Sequence, residues 1–106
     1  GHASTTSSLV IEAVADSFQL DVTDLKGSKR DKETTLARRV AMYLLRQETN
    51  CSLAQIGQEL GGRDPSAVTN ACQRIASDIA TSPFLRRKIS DIQKNINPQS
   101  IVKHSE

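Results

Sequence analysis

Tryptophan is absent from the 106 residues, and the remaining aromatics are Tyr43, Phe18 and Phe84. A core with so few large rings must be filled by Leu, Ile, Val and Ala, which favours packed helices over a sandwich of sheets. There are two cysteines, Cys51 and Cys72, and the two histidines, His2 and His104, stand at opposite ends of the chain. No C-x-x-C spacing occurs and no histidine is near either cysteine in sequence, which excludes a zinc site of ordinary ligand spacing, and neither cysteine argues for an oxidising compartment. The longest unbroken apolar run, Val40 to Leu45, is far short of a membrane span. No phosphate-binding G-x-x-x-x-G-K-[ST] loop and no nucleophile paired with a base can be found, which argues against an enzyme and against a cofactor or small-molecule substrate. Residues 1–8 (GHASTTSS) lack the charged start and apolar stretch of a signal peptide and read as a cloning remnant and flexible linker. The expected location is the cytoplasm, with the chain a single domain cut from a longer protein.

What is present is charge segregated along the chain. The net formal charge is only +2, but every charged residue from Leu9 to Leu25 is acidic: Glu12, Asp16, Asp21 and Asp24. From Lys26 to Arg46 seven basic residues face two acidic ones, Asp31 and Glu33. Such a polarised domain can turn one basic face to phosphates at a low net charge.

Helical signals follow in series. A first helix is expected from about Leu9 to Phe18, capped by Ser8, with Leu9, Ile11, Val14, Ala15 and Phe18 inward. A short helical piece over Asp21–Leu25 leads into the basic loop Lys26–Lys32. The next helix, about Glu33 to Glu48, carries a broad apolar face (Leu36, Ala37, Val40, Ala41, Tyr43, Leu44, Leu45), and Arg38, Arg39 and Arg46 are expected to project away from it. Ser52 to Ile75 then reads as two short helices. Ser52 and Gln55 have capping-box spacing, and Leu53, Ile56, Gly57 and Leu60 share a face. Gly61-Gly62 ends that helix, and Asp64-Pro65 starts the next as cap and first-turn proline. There Val68, Ala71, Cys72, Ile75 and Ile79 form an apolar stripe, which makes Cys72 a buried small hydrophobe. Ser66, Thr69, Asn70, Gln73 and Arg74 lie outside the stripe. A final helix opened by Ser82-Pro83 has Phe84, Leu85, Ile89, Ile92 and Ile96 on one side, a basic cluster at Arg86, Arg87 and Lys88, and a stop at Pro98.

The fold class expected is all-α, a small helical bundle built around a helix-turn-helix with a preceding basic loop and a long central helix. The body would span residues 9–97, with 98–106 a frayed tail. A helix-turn-helix whose second helix presents amides and hydroxyls is suited to the major groove of DNA.

The segments ARRVAMYLLRQETNCSLAQIGQELGGRD and AVTNACQRI carry a more specific signal. In these segments the chain resembles the C-terminal DNA-binding module of the DnaA family of bacterial replication initiators, closely over Lys26 to Ile75 and loosely from Leu9 to Ile96. The resemblance implies a helical module that binds short double-stranded boxes at a replication origin, associated with the nucleoid. No dimerisation helix is visible, so a monomer is expected of the isolated domain, with no membrane partner. It places Arg30 as the basic-loop arginine of the minor groove, and Arg46, Leu53, Arg63 and Asp64 near the duplex. Lys29 and Lys32 would join Arg30, Arg46 and Arg63 on phosphates. Ser66, Ala67, Thr69, Asn70 and Gln73 would face the major groove beside Pro65. Where the family has His-Thr-Thr-Val after the aspartate, this chain has Pro65-Ser66-Ala67-Val68, with fewer groups able to bond to a base edge. Three readings therefore stay open: an origin-box binder, a paralogue or transposase-appended module with an altered DNA target, and a protein-interaction domain that has lost base readout.

Overall fold

The computed structural model describes residues 6–96. Its helices run in the order α1 (Ser7–Ser17), α2 (Val22–Lys26), α3 (Lys32–Glu48), α4 (Leu53–Glu59), α5 (Pro65–Thr81) and α6 (Pro83–Ile96), and no strand occurs among the described residues. The expected all-α class is the observed one.

Most helices start where a short polar side chain can take up a free backbone N–H. Asp31 accepts from Thr34 N at the head of α3, and Asp64 from Ser66 N at the head of α5. Ser52 and Gln55 form the reciprocal capping box of α4. Ser82 Oγ accepts from Leu85 N at 3.1 Å, so one residue closes α5 and opens α6.

α3 is the central element, packed most extensively on α5 and then on α1, while α6 closes the bundle against α1 and α5. Ala37, Val40, Ala41, Leu44 and Leu45 are fully buried on α3, and they meet Val68 and Ile75 of α5 in one continuous core with Val10 and Val14 of α1. Cys72 is half-buried, with Sγ 3.6 Å from Met42 O, and burial raises the thiol pKa, partly offset by the charge of Arg46.

Several expectations need correction. α1 starts at Ser7 under a Thr6 cap, not at Leu9 under Ser8, and its inward stripe is Val10, Ile11, Val14, Ala15 and Phe18. Leu9 sits a turn-fraction off that stripe and is 41% exposed. The second helix of the helix-turn-helix is not short, since α5 runs 17 residues to Thr81. Phe84 is 66% exposed, because Leu85, Ile89, Ile92 and Ile96 hold the inward spacing and place it outside. Lys88 is not a free surface cation: its Nζ donates to Ser17 O at 2.9 Å at the end of α1 and lies 4.6 Å from the Phe18 ring centroid. The largest correction concerns Arg38, which does not project outward but is only 6% exposed. The expected stop at Pro98 and the tail to residue 106 lie outside the described residues, as do residues 1–5 of the expected linker.

Candidate nucleic-acid interface

The basic loop between α2 and α3 has no regular backbone pairing of its own, so its shape depends on what its carbonyls find. They find Arg38. Nε donates to Leu25 O at 2.9 Å, and Nη2 reaches Asp24 O at 3.1 Å, Gly27 O at 3.2 Å and Lys29 O at 3.0 Å. These are carbonyls at the end of α2 and in the loop, where helix termination leaves acceptors without donors and where a positive charge is favoured. Only a guanidinium offers enough donors in a fixed plane to serve them together. Burial lowers the Arg38 pKa, and the nearby charge of Arg63 lowers it further, though an arginine remains protonated at any pH of interest.

The turn between α4 and α5 is fastened to the same loop. Gly61 and Gly62 have φ of 92° and 82°, the left-handed region that ends a helix without side-chain strain. At Gly61 a Cβ would stand 2.0 Å from Lys26 O, so the turn touches the loop backbone there. At Gly57 a Cβ would stand 2.0 Å from Arg63 O, while Gly57 O accepts from both Gly62 N and Arg63 N at 2.9 Å. Arg63 completes the junction: Nε donates to Leu60 O at 3.0 Å and Nη2 to Gly27 O. One carbonyl, Gly27 O, thus receives two arginines, one from α3 and one from the turn.

From that anchored turn α5 projects its first residues into solvent. Asp64 Oδ1 accepts from both Ser66 N and Ser66 Oγ at 3.0 Å, and these two bonds, the backbone one foremost, lower the Asp64 pKa. Thr69 Oγ1 donates to Pro65 O at 3.2 Å. Both hydroxyl protons of this end of the helix are therefore already engaged. Each oxygen keeps acceptor capacity, and the Thr69 methyl remains for apolar contact.

Of the residues expected at the site, Arg30, Arg63, Asp64 and Ala67 line one cleft between the basic loop and the turn. Lys32 joins Arg30 along an adjoining depression, and Asn70 joins Arg63 and Ala67 in the groove between α3 and α5. Lys29 instead pairs with Asp24 at 3.5 Å. Arg46 is exposed in the last turn of α3, and Leu53 is half-buried against the core. Pro65, Ser66 and Gln73 are exposed on α5 and Thr69 is partly so, but these four line none of the three clefts.

Sequence reasoning passed over Arg38, Arg39 and Arg74 as members of this surface, although all three line the α3–α5 groove. A signal for Arg38 was present. Thr34, Ala37, Arg38, Ala41 and Leu45 recur at helical spacing, and all five are buried. Among the described residues no group of three His, Cys, Asp or Glu side chains is placed to hold a metal ion, and no helix is long and apolar enough to cross a membrane.

The family profile described as bacterial dnaA protein helix-turn-helix matches residues 7–75. The chain is 44% identical over 87 residues to the chromosomal replication initiator protein DnaA of Lactobacillus delbrueckii subsp. bulgaricus, covering 82% of this chain and 19% of that protein. It is 40% identical over 89 residues to the protein of the same name from Crocosphaera subtropica, covering 84% of this chain and 20% of that one. Against the Treponema denticola protein identity is 35% over 91 residues, 86% of this chain and 19% of the relative. The chain thus spans about a fifth of the length of these curated relatives.

Proposed function

The chain belongs to the bacterial DnaA helix-turn-helix family, and from that premise we propose that it binds double-stranded DNA with a sequence preference, as a monomer acting on chromosomal DNA in the cytoplasm. The N-terminal end of α5 enters the major groove, and Arg30 enters the adjoining minor groove, whose narrow A·T-rich form attracts a guanidinium. The observation that carries this reading is the single cleft shared by Arg30, Arg63, Asp64 and Ala67, between a loop and a turn held together at Gly27 O. Two elements meant for neighbouring grooves must keep a fixed separation, and the two arginines on one carbonyl supply that constraint. Lys32, Arg46 and Arg63 contribute charge toward phosphates. Catalysis is not part of this role, and the origin-directed work of the longer relatives comes to this chain only as its DNA-binding share.

Base readout is narrower than backbone binding. Pro65 offers no side-chain hydrogen bond, Ala67 offers a methyl, and the hydroxyl protons of Ser66 and Thr69 are engaged within the helix. Asn70 and Gln73 are exposed amides able to bond bidentately to adenine. Those facts favour a second reading, a module of this family whose preferred DNA target has shifted.

A fluorescence-anisotropy titration tests both, using a duplex with the initiator's box and a scrambled duplex of the same composition at several salt concentrations. The expected slope of log K against log salt is about −0.9 per phosphate, or roughly −3.6 to −5.4 for four to six contacts. Arg30→Ala is expected to weaken binding and to lose any A·T preference. Tighter binding to the box supports the origin-box reading, and equal, salt-sensitive binding supports the shifted target. No binding to either duplex leaves a protein-interaction domain.

A further inference from the structure

We propose that Arg39 and Arg74 form a second phosphate clamp, which grips the DNA strand running between the two grooves, with Asp78 as a built-in competitor for Arg74. This proposal rests on the DNA-binding reading and adds residues that neither family membership nor the sequence motifs assign.

Ala67, Asn70 and Arg74 recur at helical spacing on α5, and Thr35, Arg39 and Met42 do so on α3. These two stripes face one another across a single groove. Arg39 and Arg74 also line the adjoining depression together with Arg30 and Lys32. Arg39 on α3 and Arg74 further along α5 therefore lie beside both the loop assigned to the minor groove and the helix end assigned to the major groove. In duplex DNA, what separates a minor groove from the next major groove is one sugar-phosphate strand, so a protein occupying both must pass that strand across the surface between them. Here that surface is the arginine-lined groove.

The other two arginines of the groove are tied to the backbone through Nε and Nη2. Arg38 serves four carbonyls, and Arg63 serves Leu60 O and Gly27 O. Arg74 is different: its side chain is 64% exposed, and its nearest charged partner is Asp78, with Nε to Oδ2 at 3.6 Å. An exposed ion pair of that length on one helix is weak and is readily exchanged for a phosphate, whose geometry suits a guanidinium fork. Asp78 lines the same depression, so its negative charge opposes a phosphate at the site while holding Arg74 in place beforehand. Arg39 is half-buried and lines both the groove and the adjoining depression.

The test compares Arg39→Gln, Arg74→Gln, Arg74→Lys, Asp78→Asn and the double variant Arg74→Gln/Asp78→Asn in the full chain, with Arg30→Ala as a reference. Each binds the box duplex and the scrambled duplex across a salt series, and melting curves certify that each is folded. Arg39→Gln and Arg74→Gln are each expected to lower the magnitude of the salt slope by about one and to weaken both duplexes by the same factor. Arg74→Lys, which keeps the charge, should retain most of the slope. Asp78→Asn should tighten binding several-fold, and that gain should shrink in the double variant, where relief of the repulsion between Asp78 and the phosphate remains and the competition for Arg74 does not. If the wild-type chain binds neither duplex, the DNA-binding reading fails and the clamp with it. If Arg30→Ala weakens binding while both glutamine variants leave the slope unchanged, DNA binding stands and the clamp is refuted. A changed ratio of box to scrambled affinity in Arg39→Gln or Arg74→Gln also refutes it, since that result belongs to base readout.

Discussion

Replacing Arg38 by methionine isolates the part of the structure that holds the basic loop. Methionine keeps much of the apolar stem and removes every donor. The carbonyl of Leu25 lies in the buried end of the contact, and a buried acceptor without a partner costs about 1–3 kcal/mol. The carbonyls of Asp24, Gly27 and Lys29 are only part-buried, so water replaces the guanidinium there at a smaller loss. Four bonds to one group do not add in full, and we expect a total of about 2–4 kcal/mol. At about 4–8 °C per kcal/mol for a domain of this size, the melting temperature should fall by roughly 8–32 °C. Circular dichroism gives that number, and amide hydrogen exchange well below the new melting point gives the local one. Exchange at Lys29 and Arg30 should accelerate far more than exchange in the middle of α5, because the loop loses its anchor while the α5 cap is untouched. Duplex affinity should fall with it. A melting temperature lowered by less than about 3 °C, with unaltered exchange at Lys29 and Arg30, would refute the view that Arg38 shapes the loop.

Two further perturbations address the turn and the helix caps. Gly57→Ala and Gly61→Ala each drive a Cβ to within 2.0 Å of a backbone oxygen and should cost about 2–4 kcal/mol, whereas Gly62→Ala meets nothing within 4 Å and should cost only about 1–2 kcal/mol for its positive φ. Urea midpoints for the three variants check the order, and a Gly62 variant less stable than the other two would overturn it. Asp31 and Asp64 have folded pKa values lowered by bonds from Thr34 and Ser66 respectively, so their caps stabilise the fold fully above the unfolded aspartate pKa of about 3.9. That contribution should fade as the pH drops below this value and be lost once the pH passes the lower folded values. In the Asp31→Asn/Asp64→Asn variant, asparagine caps without titrating, and the acid fall of the melting temperature should become shallower. An unchanged pH profile would place the acid sensitivity elsewhere.

The order of the helices, the starts of α4, α5 and α6 and the helix-turn-helix were legible in the sequence because they rest on local chemistry. Ser52 with Gln55, Asp64 with Pro65 and Ser82 with Pro83 act on backbone groups within one turn, and Gly61-Gly62 need only their own φ. The family, too, was legible, since its motif is a contiguous pattern of such residues. Phe84 and Leu9 were misplaced because periodicity alone leaves the edge of an apolar stripe undefined, and the neighbouring helix decides which edge is covered. Arg38, Arg39 and Arg74 look alike in the sequence, as arginines on helices. Only the folded chain separates them, by setting α2 against α3 so that Arg38 meets four carbonyls, and α3 against α5 so that Arg39 and Arg74 share a groove. Local signals determined where α4, α5 and α6 begin and the centre of each apolar stripe. Which cations hold the backbone together, and which line an open groove, was decided by acceptors 9 to 14 residues away from Arg38 and by the packing of helices remote in the chain. The physical reason is that a guanidinium binds whatever oxygen the tertiary fold places before it.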